Sequence, residues 1–252
     1  MFLEFFKRKE KNITYYIFSD KGNREINEDS VGFSANDCGK CFVLCDGLGG
    51  HGMGDIASQL VVKVFENQFK NTPDNSAFLP IAFEASQDLL LAEQIKRKCC
   101  KKMKTTATAV VCDNKNAYIG HIGDSRVYVF NNNKVLKRTK DHSVPQMLVL
   151  TGEITEDEIR NHPDRSIILK VLGVEWDDKN YELMKPLPLK KCQAFLLCSD
   201  GFWELIHENV MSSLLSESKS PKEWILKMVD IVEENGKGIN MDNFSAIGIW
   251  VE

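Results

Sequence analysis

Apolar, β-branched and aromatic residues gather in short runs separated by turn residues. Such runs occupy positions 14–19, 41–45, 106–112, 117–122 and 126–130, then 181–184, 194–198 and 244–251. Runs of this length and composition predict strands. Only Gly123, Asp124 and Ser125 separate 117–122 from 126–130, and that spacing predicts an antiparallel pair. Between the second and third runs the period changes. Ile56, Leu60 and Val64 recur every four residues, with Ala57, Val61 and Phe65 beside them, and a second stripe carries Phe78, Ala82, Ala85, Leu89 and Ala92. Both predict helices with one buried face.

Later helices are marked at their ends. Ser220 is placed to cap, Pro221 to take the first helical position and Glu223 to complete a capping box. That helix would bury Trp224, Met228 and Val232 and stop at Asn235-Gly236. Thr155 and Glu158 form a similar box before a short helix. Residues 139–180 are a polar excursion. Regular strand–helix–strand alternation is absent, which predicts an α+β sandwich of antiparallel sheets with helices outside.

The 252 residues are 43% hydrophobic and 27% charged, which excludes disorder as the dominant state. A net charge of −4 offers no general attraction to nucleic acid or anionic lipid. The basic run of Lys96, Arg97, Lys98, Lys101, Lys102 and Lys104 reads as a solvated helix end and loop. No apolar stretch approaches the ~18–20 residues of a membrane span. The opening MFLEFFKRKEKN places its charges after its apolar residues, the reverse of a signal peptide. A cytoplasmic protein is expected, with residues 1–12 a mobile or loosely docked extension and 13–252 one domain. Of eight cysteines, Cys38 and Cys41 form a CxxC, but no second ligand pair follows, so reduced and mostly buried thiols are expected.

The informative residues are carboxylates at strand ends. Run 41–45 leads into Asp46-Gly47-Leu48-Gly49-Gly50, and run 194–198 into Ser199-Asp200-Gly201. Asp242-Asn243 opens the last run, Gly123-Asp124-Ser125 is a turn, and Asn27-Glu28-Asp29 follows the first strand. Converging strand ends would crowd these carboxylates, which repel unless cations compensate. Hard oxygen donors suit Mg²⁺ or Mn²⁺. Arg24, close by in sequence, offers a planar fork for phosphate oxygens.

These stretches, in this order, resemble the metal-dependent Ser/Thr protein phosphatases of type 2C, the PPM family, in the form of a bacterial free-standing catalytic domain. The matches are Gly22 to Asp29 (GxRxxNED), Asp46 to His51 (DGxGG), Gly123 to Arg126 (GDSR), Ser199 to Gly201 (SDG) and Asp242-Asn243. Thr105-Thr106-Ala107, Asp141-His142-Ser143, Gly152-Glu153-Ile154 and Leu172-Gly173 are further family-like stretches.

The resemblance implies a four-layer αββα sandwich, two antiparallel β-sheets flanked by helix pairs, with two Mn²⁺ or Mg²⁺ ions in a cleft at one end. By that resemblance Asp46 would bridge both ions and Gly47 would lend its carbonyl. Asp200 and Asp242 would complete the second ion's ligands, and Glu28 would hold water on a metal. Asp124 would serve a weaker third ion, Arg24 would bind the substrate phosphate, and residues 139–180 would form a flap facing substrate. Leu48 stands where eukaryotic members carry a His that acts as general acid; bacterial members often carry an apolar residue there. His51, His142 and His162 read as structural or local hydrogen-bonding groups.

The activity implied is hydrolysis of phosphoserine and phosphothreonine on proteins by a metal-activated water, opposing a Ser/Thr kinase and acting as a monomer. One alternative is a catalytically silent module of the same fold, which missing metal carboxylates would mark; none is missing. Another is a phosphatase of phosphorylated anti-anti-sigma factors, whose relatives carry sensor or membrane regions.

Overall fold

Two stacks of antiparallel strands, built from runs the chain interleaves, face each other across a shared apolar layer. The computed structural model describes residues 12–49 and 52–252. The expectations for residues 1–11 and for His51 lie outside the described residues. The first sheet has the order β1 (Ile13–Asp20), β11 (Phe244–Val251), β10 (Ala194–Cys198), β6 (Arg126–Asn131) and β7 (Lys134–Arg138). The second has the order β2 (Asp29–Asn36), β3 (Gly39–Asp46), β4 (Ala107–Cys112), β5 (Asn116–Ile122) and β8 (Glu182–Leu183), with β9 (Leu187–Pro188) also on β5. Asn12 and Glu252 exchange two backbone hydrogen bonds of 3.0 and 2.8 Å beyond the β1–β11 ladder.

Alternation along the strands makes the layers. Phe42, Leu44, Val110 and Ile119 of the second sheet meet Val127, Val129, Phe195 and Ile247 of the first in the central layer. Cys41, Val43, Ala109 and Val111 point the other way, under α1 (Gly54–Lys70) and α2 (Phe78–Lys96). Tyr128, Phe130, Leu196 and Ala246 face the helices of the opposite side, α4 (Asp200–Trp203), α5 (Glu208–Glu217) and α6 (Pro221–Asn235). A further helix, α3 (Val144–Thr151), lies in the long excursion. This is the expected αββα arrangement. Ser220 caps α6 by accepting from the Glu223 amide, and the Thr155–Glu158 box opens a 3₁₀ turn at Glu156–Asn161.

Three expectations are corrected. Runs 117–122 and 126–130 do not pair. β5 pairs with β4, β6 pairs with β10, and the turn between them crosses from one sheet to the other. Gly123 makes that crossing at φ +103°, where a Cβ would meet Thr106 Cγ2 at 2.5 Å, so only glycine fits. The buried row of α1 is Ala57, Val61 and Phe65, while Ile56, Leu60 and Val64 are only partly covered. In α2 the buried row is Phe78, Ala82, Phe83, Ser86, Gln87, Leu90 and Gln94, and Ala92 is exposed. The α2 row turned because two glutamines have partners inside. Gln87 receives the Gly173 amide at 2.8 Å, and Gln94 donates to the Gly173 carbonyl at 2.7 Å. Three strands carry no signal in the runs identified above: β2, β7 and β9.

Candidate metal centre

At one end of the sandwich the strand ends named above line a cleft of about 480 Å³, with Arg24, Glu28, Asp46, Gly47, Asp200 and Asp242 on its walls. Asp46 ends β3. Its carbonyl accepts from the Thr106 amide at 2.8 Å and the Thr105 hydroxyl at 2.8 Å, and its own amide donates to Thr106 Oγ1 at 3.0 Å. Gly47 donates its amide to the Glu28 carbonyl at 3.1 Å, which seats the β3 loop on the loop before β2. Gly49 packs against Glu28 so closely that a Cβ there would overlap Glu28 Oε2. Asp200 opens α4 after β10, and the Gly201 amide donates to its Oδ1 at 2.6 Å.

The loop carrying Arg24 and Glu28 is fastened to the start of β11 by asparagines. Asn243 Oδ1 accepts from the Glu28 amide at 2.8 Å, and its Nδ2 donates to the carbonyls of Lys21 and Ile26. Asn23 Oδ1 accepts from the Met241 amide. Arg24 Nη2 lies 2.9 Å from Asp242 Oδ2, with both side chains about half exposed.

Electrostatics mark the spot. The carboxyl of Asp200 stands against that of Asp46 and helps raise it. Burial, then neighbouring carboxylates, hold Asp46 well above the usual carboxylate range, and Asp124 likewise. Asp200 is raised for the same two reasons, with Asp242 its strongest neighbour. Glu28 is raised by burial and by Asp55 and Asp242. Asp124 is buried at the crossover turn, and its Oδ1 meets no donor among the described residues. Among those residues no Lys or Arg forms an ion pair with Asp46, Asp124 or Asp200. Clustered buried carboxylates without a counter-charge want a cation, and oxygen donors select a hard one. The donor set therefore fits divalent ions.

Two groups near the cleft were given no role in the reading of the sequence. Asp29, at the start of β2, is buried below Asp200 with its Oδ2 accepting from Ser199 Oγ at 2.8 Å, and burial pushes it up to about 7. Glu204, one turn after Asp200, is also pushed up to about 7 by burial and Asp200, against its pairing with Arg165. Asp29 stood in the sequence beside Glu28; Glu204 had only its position one helical turn after an acidic residue.

His162 accepts from the Asp164 amide, a local role as expected. Among the described residues, ligand atoms of His121, His142 and Glu182 also gather within 4.8 Å of one another. Their proton positions oppose a metal there. His142 Nδ1 accepts the Gly123 amide, so the neutral ring carries its proton on Nε2, which faces Glu182 Oε1 at 3.2 Å.

The chain is similar to known proteins over most of its length. Residues 19–241 match the family model described as protein phosphatase 2C. The chain is 30% identical over 213 residues to the serine/threonine phosphatase stp of Listeria welshimeri, covering 81% of this chain and 84% of that one. The crystal structure of the serine/threonine phosphatase Stp1 from Staphylococcus aureus superposes with a TM-score of 0.87 at 29% identity, covering 96% of each chain. The catalytic domain of the serine/threonine protein phosphatase PstP, in complex with two manganese ions, superposes at 0.79 with 27% identity, covering 95% of this chain and 98% of that one.

Proposed function

The chain belongs to the protein phosphatase 2C family and is a metal-dependent serine/threonine phosphatase; on that premise we propose that the cleft is its active site. The observation that carries the reading is the set of crowded carboxyls of Asp46, Asp124 and Asp200, with an Asp124 oxygen left unpartnered. Asp46, Asp200, Asp242 and the Gly47 carbonyl would hold two Mn²⁺ or Mg²⁺ ions, with Asp124 toward a weaker third. Bound there, the ions supply charge neutralisation at the phosphate and activation of a water for attack on phosphorus. Glu28, at the cleft wall, would hold and orient that water. Arg24 leaves Asp242 to grip the equatorial phosphate oxygens through its fork. Asn243 and Asn23 keep its loop at that height.

Phosphorylated proteins are the substrates, and a Ser/Thr kinase is the opposing partner. The site is complete within one chain, which suits a monomer. The eight free cysteines suit a reducing cytoplasm. Among the described residues no helix is long and apolar enough to cross a membrane.

The test is hydrolysis of a phosphothreonine peptide in Mn²⁺, in Mg²⁺ and in EDTA, beside Asp46→Asn and Asp200→Asn. Turnover should require metal and collapse in both variants. A loss below about tenfold in either would remove that residue from the metal site.

A further inference from the structure

Beside the cleft runs a second depression of about 700 Å³, walled by Leu48, Ile167, Leu169, Val174, Lys104 and Lys170. It shares Leu48, Gly49, Ser166 and Ile168 with the cleft, so the two are one continuous surface. Ile167, Leu169 and Val174 are 46%, 47% and 40% exposed. Exposed apolar residues gathered in one concave place point to a ligand.

The backbone behind them is pinned, so the groove is preformed. The Leu169 amide donates to the His142 carbonyl at 2.7 Å, and the Val144 amide to the Ile167 carbonyl at 3.0 Å. Buried Gln87 donates to the Val174 carbonyl at 2.5 Å and accepts from the Gly173 amide. Buried Gln87 thus fixes Val174 at the groove wall, and backbone bonds fix Ile167 and Leu169.

The charge of the groove is opposite to that of the cleft. The cleft walls carry Glu25, Glu28, Asp46, Asp200 and Asp242. The charged residues of the groove are Lys104 and Lys170, with no carboxylate among its described walls. Lys104 ends the basic run, and its carbonyl accepts from the Leu48 amide at 3.0 Å, so the run terminates at the active-site loop.

We propose that this groove holds the stretch of phosphoprotein flanking the phosphorylated residue, and that it selects an apolar side chain next to an acidic one. The proposal rests on the phosphatase reading of the cleft. Leu48, Ile167, Leu169 and Val174 take the apolar side chain, and Lys104 and Lys170 take the acidic one. Complementary charge of this kind sets specificity more than raw affinity.

The experiment compares three phosphothreonine peptides: one flanked by Leu and Glu, one with Gly for each Leu, one with Lys for each Glu. For each, kcat/KM in Mn²⁺ is divided by that for p-nitrophenyl phosphate, which has no flanking chain. The Leu–Glu peptide should exceed the Lys peptide by about tenfold in this ratio, through KM. Lys104→Glu should erase or reverse the acidic preference, and Val174→Asp should erase the preference for Leu over Gly. Equal ratios for the three peptides, or variants that lower all ratios alike, would overturn the proposal and give the groove to another occupant. If p-nitrophenyl phosphate itself is not hydrolysed, the phosphatase reading has failed. Fluorescence anisotropy of the labelled peptides still decides for the groove: graded affinities support it, equal ones sink it.

Discussion

The hydroxyls of Thr106 and Ser125 lie 2.8 Å apart, and the pair joins the two sheets beneath the carboxylates. Thr106 Oγ1 also accepts the Asp46 amide, so one side chain positions the Asp46 loop and the Asp124 turn together. Thr106→Val keeps the volume but leaves buried polar groups unpaired, at a cost of about 1–3 kcal/mol. The thermal midpoint should fall, and kcat should fall with it. Thr106→Ser, which retains the oxygen, should restore most of both. Calorimetry and peptide turnover on the two variants check this.

Metal removal should turn the site into a pH-dependent weakness. Asp29 is raised to about 7, and Asp46, Asp124 and Asp200 are raised as well. A carboxyl with a raised folded-state pKa favours the fold while protonated, and that contribution is lost as pH climbs from the unfolded value near 3.8 through the folded one. In EDTA the thermal midpoint should therefore drop between about pH 5 and 8. Mn²⁺ should flatten the slope, because cations replace the protons. A midpoint in EDTA that rises over this window would contradict the assignment.

Arg24 is half exposed and bonded to Asp242 in an exposed pair, so it contributes little to stability. Arg24→Ala should leave the thermal midpoint within about 1 °C. KM for phosphopeptide should rise at least tenfold, since a bidentate charged contact to phosphate is lost. Arg24→Lys should recover only part of that, lacking the fork. Steady-state kinetics separate the outcomes.

Arg126 and Asp141 form a buried bidentate pair at 2.8 and 2.6 Å, with the guanidinium 3.3 Å from the centre of the Trp203 ring. The Trp203 indole N–H donates to the Asp124 carbonyl at 3.0 Å. Asp141→Asn leaves the Arg126 charge short of its partner and should cost about 3–5 kcal/mol, visible in urea titration. If the fold survives, metal affinity should weaken through Trp203 and Asp124, which isothermal titration with Mn²⁺ would register.

What could be read in advance, and what could not, follows from how each segment meets its neighbours. β10 and β11 are central strands, apolar apart from Ser245 and Gly248, so their ends agree with the runs to the residue. β2 reads DSVGFSAN and carries few apolar positions. Gly32 lies so close to α1 that a Cβ there would meet Val62 Cγ1 at 2.5 Å. Close packing replaced the bulky residues a pattern needs. β7, KVLKR, is a charged edge strand, and such edges read as loop. The sheet change at Gly123 is a matter of direction, which periodicity does not encode. At the site, the acidic residues were legible because they stand at strand ends beside glycine or asparagine. Asn243, Thr106 and Ser199 act through bonds to residues far along the chain, and no spacing announces those.

β11 is the last of the described strands and the second in its sheet, wedged between β1 and β10. Synthesis therefore delivers the wedge after everything it separates. Until β11 has cleared the ribosome, β1 has no neighbour on that side, β10 has one free edge, and Asp242 and Asn243 have not reached the cleft. The nascent chain can assemble the β2–β5 sheet under α1 and α2, but it holds an unfinished site. A chain that stops short of β11 thus has a sheet without its wedge and a cleft without Asp242 and Asn243.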